Sequence, residues 1–166
     1  TPTSEETMLG GISSIASCGT TSQLAFSSRQ LNSLIDVYDY PSMEKSFSLD
    51  GGAKLDFADI TFNSSGTLIA SISKQPDYQL SVFDTKTKKI ICSAKLPEPC
   101  STISFNPLKD DQLCTMGEKG LFMWSLKETQ EGKKLTSVKL KIKALDEEED
   151  EDSGGEHDPE EEEDFE

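Results

Sequence analysis

FADITFNSSGTLIASISKQPDYQLSVFDTKTKKIICSAKL, residues Phe57 to Leu96, alternates four short apolar or β-branched runs with three polar breaks. The runs Phe57–Phe62, Leu68–Ser73, Gln79–Asp84 and Lys89–Lys95 have the length and composition of strands. NSSGT, KQPDY and TKT between them carry the polar, Gly and Pro residues that turn a chain. Four antiparallel strands in about 40 residues, the third ending in an aromatic–Asp pair, is the pattern of one blade of a β-propeller.

The pattern recurs on both sides. A shift of 45 positions places Ile15 on Ile60, Leu24 on Ile69, Ile35 on Leu80, Val37 on Val82, Tyr38 on Phe83 and Asp39 on Asp84 without a gap. On the other side Ile103 answers Ile60 at a shift of 43, and Trp124 answers Phe83 at a shift of 41. The third unit is shorter because a two-residue turn, Glu118-Lys119, between Gly117 and Gly120 replaces KQPDYQ. Variation confined to a turn, with the strand patterns kept, is what repeats of one supersecondary unit tolerate.

The fold class expected is therefore all-β: about three propeller blades, near residues 12–50, 57–96 and 100–145, after a polar lead-in at 1–11. Propellers close with roughly four to eight blades, so three units make an open stack, read here as a fragment of a longer protein. Strands are expected at Ile12–Ser17, Gln23–Ser28, Leu34–Tyr40 and Lys45–Leu49 in the first unit, with Asp50-Gly51-Gly52 turning the chain into the second. In the third unit they are expected at Ser101–Phe105, Gln112–Gly117 and Leu121–Leu126, with Glu128–Lys134 looping out. Next, LTSVKLKIKAL alternates: Val138, Leu140, Ile142 and Ala144 share one face, Ser137, Lys139, Lys141 and Lys143 the other. That period of two predicts a strand with its apolar side buried and its lysines protecting an exposed edge.

Charge is unevenly placed. The net charge is −15, yet residues 146–166 hold 15 acidic residues and no Lys or Arg, leaving 16 acidic against 16 basic residues before them. The blade region thus lacks the positive balance that nucleic-acid binding favours. The acidic segment is too polar and self-repelling to collapse and is expected to be disordered. Its carboxylates, among them Glu147, Glu148, Glu149, Glu160, Glu161, Glu162 and Glu163, together with Lys139, Lys141 and Lys143, are the candidate partner-binding residues. Ser153, flanked by acids, is a candidate phosphorylation site.

No apolar run reaches the roughly 18 to 20 residues of a membrane span, and the start carries no signal-peptide layout, so a soluble intracellular protein without membrane contact is expected. Cys18, Cys92, Cys100 and Cys114 form no CxxC pair and read as small core or strand residues. Asn63-Ser64-Ser65 is a formal glycosylation sequon that reads as a turn. Chemistry is sparse: the one His, His157, lies in the acidic segment, and no phosphate loop, GxSxG, HExxH or Cys/His spacing occurs. Neither catalysis nor a cofactor, metal or small-molecule substrate is expected. Asp39, Asp59, Asp77 and Asp84 read as turn-capping residues.

Phe62-Asn63-Ser64-Ser65-Gly66 followed by Phe83-Asp84 resembles WD-repeat proteins, whose blades run from an F-S-P-D-G turn to a W-D strand end. Tyr38-Asp39 and Trp124-Ser125 fill the second position in the flanking units, Phe105 the first in the third, and no Gly-His pair is present. Between Leu34 and Leu126 the resemblance narrows to WD-repeat cilia- and flagella-associated proteins of the axoneme, carried by Pro76-Asp77-Tyr78, Leu80, Val82, Asp84, Phe105-Asn106-Pro107 and Gln112-Leu113. It implies a large scaffold with tandem propellers and coiled coil elsewhere, tethering dynein machinery to doublet microtubules, with axonemal subunits, dynein or tubulin-associated proteins as partners. The cytoskeleton of a cilium or flagellum is the implied location. A second expectation, from the acidic segment alone, is a chaperone or adaptor for basic proteins such as histones.

Overall fold

The computed structural model describes residues 10 to 142. The lead-in before Gly10, Lys143, Ala144, the acidic segment and Ser153 lie outside the described residues. Every regular element among the described residues is a strand, and the strands form three four-stranded antiparallel sheets.

The first sheet joins β1 (Ile12–Cys18), β2 (Gln23–Ser28), β3 (Ser33–Asp39) and β4 (Glu44–Ala53) in that order. The second joins β5 (Phe57–Phe62), β6 (Leu68–Ser73), β7 (Gln79–Asp84) and β8 (Lys89–Lys95). β9 (Cys100–Asn106), β10 (Lys109–Gly117), β11 (Gly120–Thr129) and β12 (Gly132–Leu140) make the third. The first strands of the sheets, β1, β5 and β9, lie side by side, while β8 meets β4 on one flank and β12 on the other.

Burial follows from this stacking. Ala25, Ile35, Val37 and Leu49 of the first sheet face Ile60, Ile69 and Phe83 of the second. The opposite face of the second sheet, with Ala70, Ile72, Leu80 and Val82, packs on Ile103, Leu113, Phe122 and Trp124 of the third. Covered on both faces, β6 is buried along its whole length, which is why LIASIS needs no solvent-facing polar alternation. Each buried Leu, Ile or Phe in these seams contributes about 1.5 to 3 kcal/mol relative to exposure.

Three expectations are corrected. Glu128–Lys134 does not loop out: Thr129 pairs with Gly132 in a hairpin that extends β11 and β12 around Gln130-Glu131. Asp50-Gly51-Gly52 belongs to β4 as a bulge: these three residues between Leu49 and Ala53 face the single Leu34 between Ile35 and Ser33. Gly51 adopts φ +82°, and a Cβ on Gly52 would sit 2.8 Å from Phe83 Cζ, so the bulge needs both glycines.

The third correction concerns β12. Val138 is 66% exposed and Ile142 76%, so the apolar side is the open one. Register explains it: Lys139 pairs with Phe122 and Ser137 with Trp124, placing the lysine side on the face turned to the second sheet. Val138 and Leu140 pair with Met123 and Leu121 on the far face, which no described element covers. Leu135, on the lysine side, is the buried residue of the strand.

Candidate protein-interaction surface

The aromatic positions expected from the repeat fall on equivalent sites. Phe83 and Trp124 are buried in the two seams, whereas Tyr38 lies half-buried on the outer face of the first sheet. Tyr38 packs edge-to-face on Phe26, with ring centroids 5.6 Å apart. Phe62 ends β5 and Phe105 is the next-to-last residue of β9, both buried beside the turns that follow. Gly66 takes φ +74° in the NSSGT turn, where a Cβ would run into the Thr21 side chain and the Cys18 thiol.

Asp84 caps a turn as expected, whereas the Asp39 carboxylate bonds side chains on the neighbouring strands. Asp84 Oδ1 accepts from the Lys86 and Thr87 amides at 2.8 and 2.9 Å, and the Thr87 amide leads the effects holding this carboxyl below its ordinary range. Asp39 accepts from Gln23 Nε2 at 3.1 Å, and hydrogen bonds from Ser46 and then Gln23 lower its pKa. Asp59 is different: it sits inside β5, not at a turn. Its Oδ1 accepts from Ser14 Oγ at 2.9 Å and its Oδ2 from the Ile103 amide at 3.0 Å, so one carboxylate ties all three sheets together. Its place as the third residue of β5 gave no sequence signal for that bridge.

The turns of the three sheets also join along one rim. Thr20 Oγ1 donates to the Ser64 carbonyl at 2.8 Å, and Ser64 and Ser65 hydroxyls donate to the two oxygens of Asp110 at 3.2 and 3.1 Å. Asn63, 1% exposed, is consumed by the turn itself: its Oδ1 accepts from the Leu68 amide and its Nδ2 donates to Ser65 and Thr67. At the other rim Asp56 Oδ2 holds Lys74 Nζ at 2.9 Å and Arg29 Nε at 3.2 Å. Burial pushes the Asp56 carboxyl up, but hydrogen bonds from Lys74 and then Ser13, with the Lys74 and Arg29 charges, outweigh it and hold the pKa below the ordinary value.

The cysteines are free, and Cys18, Cys92 and Cys100 are buried. Burial raises the Cys92 thiol to about 11 and pushes Cys100 up as well, so neither is a thiolate near neutral pH. Among the described residues no three His, Cys, Asp or Glu side chains converge as metal donors.

The surface is therefore one of display, with rigid seams inside and side chains presented outside. Lys139 and Lys141 are exposed, although Lys139 lies on the side of β12 turned to the second sheet, with its ammonium 5.7 Å from the Phe122 ring centroid. Stacking adds a group that the sequence reading missed: Lys88, Lys89 and Lys95 of β8 and its preceding turn, exposed on the neighbouring edge. Lys88 lies 5.4 Å from the Phe47 ring centroid. Periodicity along one strand carries no information about the strand that comes to lie beside it.

No protein-family model matches the chain. Among curated proteins it is 30% identical over 124 residues to cilia- and flagella-associated protein 43 of Xenopus laevis, covering 74% of this chain and 8% of the relative. The Mus musculus protein 43 is 29% identical over 122 residues, 72% of this chain and 7% of the relative. Mus musculus cilia- and flagella-associated protein 44 is 33% identical over 102 residues, 61% of this chain and 6% of the relative. The chain thus spans only 6% to 8% of the length of these relatives.

Among solved structures, the β-propeller domain of Myceliophteria thermophila Cps50 (Swd1) superposes with a TM-score of 0.67 at 14% identity, covering 86% of this chain and 42% of that one. Hsv2 of Kluyvelomyces marxianus gives a TM-score of 0.67 at 12% identity, covering 81% and 50%. At such identities the likeness concerns the fold alone. By sequence the chain is a homologue of the cilia- and flagella-associated proteins 43 and 44, and by fold it is a stack of WD-repeat-type β-propeller blades.

Proposed function

We propose that the chain is a non-catalytic protein-interaction scaffold of the cilium or flagellum, part of an axonemal assembly that tethers dynein machinery to doublet microtubules. The observation that carries this reading is the match to two related ciliary proteins across most of the blade region. The architecture supports it: Thr20, Ser64, Ser65 and Asp110 bond turn to turn along one rim, which holds the blades and their outer side chains in register for partners. Scaffolding needs such rigidity more than it needs titratable groups in a cleft.

The test is to tag the full-length protein in ciliated cells, isolate axonemes and identify its neighbours by proximity labelling. The expected outcome is an axonemal signal that resists detergent, with dynein-associated subunits among the labelled proteins. A uniformly nuclear signal would reject this reading. It would favour the second one, in which the 15 carboxylates of residues 146–166 bind basic proteins such as histones.

A further inference from the structure

We infer that the lysine-rich wall formed by the outer strands β8 and β12 is the docking surface for the chain's own acidic segment, residues 146–166. Residues 88–96 and 132–141 contain seven lysines, Lys88, Lys89, Lys95, Lys133, Lys134, Lys139 and Lys141, and no carboxylate. All seven are exposed, but Lys134 shares the far face of β12 with Val138 and Leu140; β12 lies against β8, so the other six, from two separate stretches of sequence, make one cationic edge spanning the second and third sheets. In the sequence the described region is close to balanced, and only stacking segregates the charge.

Little on the surface neutralises this edge. Lys133 Nζ lies 3.7 Å from Glu128, which is itself 85% exposed, and the ring contacts of Lys88 and Lys139 leave their charges in place. Lys133 also lines the inter-sheet groove together with Asp84, Asp110, Asp111, Glu128, Lys86 and Lys127, so that groove is mixed in sign and Lys133 is shared between it and the edge. Like charges held along one edge repel each other, and an opposite charge brought close relieves them.

The acidic segment meets the requirement in charge and in reach. It carries 15 carboxylates without a cation and begins five residues after Lys141. Five extended residues span about 16 Å, while packed sheets lie about 10 Å apart, so the segment reaches β8 from the end of β12. A short tether raises the local concentration of carboxylates to the millimolar range, ahead of any partner arriving from solution. Exposed charges are screened beyond about 8 Å at physiological salt, so the docked state consists of many exchanging contacts with no single geometry. An acidic partner protein binds this edge only by displacing the segment. The inference stands apart from the ciliary reading.

Zero-length carbodiimide coupling of lysines to carboxylates in the full 166-residue chain, followed by peptide mapping, tests it. Lys139 and Lys141 couple through proximity in sequence, so the diagnostic residues are Lys88, Lys89 and Lys95. The expected result at low salt is coupling of these three to residues 146–166 at least about fivefold above that of Lys54 and Lys109. It is unchanged on tenfold dilution and lost in about 0.5 M salt, where screening reaches within roughly 3 to 10 Å. Equal coupling at all exposed lysines, or coupling that falls with dilution and so reports a second copy, overturns the inference. As a second readout, a variant with Lys88, Lys89, Lys95, Lys139 and Lys141 changed to Gln is expected to keep its strand circular dichroism and lose the salt-dependent change in hydrodynamic radius. An equal salt response in the variant also overturns it.

Discussion

The indole Nε1 of Trp124 donates to Thr115 Oγ1 at 2.9 Å, both residues buried in the third sheet. The same two positions in the second sheet hold Phe83 and Ser71, and there the Ser71 hydroxyl is buried with no partner. In the first sheet they hold Tyr38 and Phe26, an aromatic pair with no need of a polar bond. One site in the repeat is thus solved three ways, and the middle sheet carries the defect.

Replacing Thr115 by Val keeps the shape and strands the indole donor, which should cost about 1 to 3 kcal/mol. Ser71→Ala removes an unsatisfied hydroxyl and should be neutral or stabilising. Denaturant midpoints of the two variants settle the matter, and equal losses would contradict it. Phe83→Trp is no remedy, because Gly52 already packs against Phe83 Cζ and leaves no room for a larger ring.

Asp59→Ala removes the acceptor for both Ser14 Oγ and the Ile103 amide. We expect a loss of about 2 kcal/mol, against about 1 for Ser14→Ala, because the amide of Ile103 is left without its partner as well. Chemical denaturation of each variant measures this, and equal losses would mean that the contact with the third sheet contributes nothing.

The outer faces should make the chain associate. Ile15 is 60% exposed on the first sheet, and on the third Met116 is 48% exposed on the same outer face as Val138. Their equivalents in the second sheet, Ile60 and Ile72, are buried by a neighbouring sheet. Sedimentation should show concentration-dependent association that Ile15→Lys with Val138→Lys suppresses. A monomer with a sharp, concentration-independent melt would count against exposed seams as a source of association.

Acid should unlock the Asp56 rim. The folded pKa lies below the unfolded value of about 3.9, so between the two the unfolded chain binds more protons. The stability from this carboxylate is therefore fully present above the unfolded pKa and lost as pH falls through the folded one. Asp56→Asn should cost about 1 kcal/mol at pH 7, with the difference from wild type shrinking below pH 4. A difference that stays constant down to pH 2 would show that the pairs with Lys74 and Arg29 do not drive it.

The strands of the second sheet could be read from sequence to the residue, because side-chain alternation and turn chemistry are local and Phe57–Leu96 contains both. The repeat likewise specified which residues would be equivalent, since Ile15 and Ile60, or Phe83 and Trp124, fill like places in their own sheets. Three things depended on neighbours far along the chain. Which side of β12 is covered was decided by its pairing with β11 and by the second sheet, so the apolar alternation of Val138, Leu140 and Ile142 pointed the wrong way. Asp59 became a bridge only because β1 and β9 came to flank β5. The cationic edge arose because stacking set Lys89 and Lys95 beside Lys139, residues more than 40 positions apart, and no pattern along a single strand encodes what another strand brings to it.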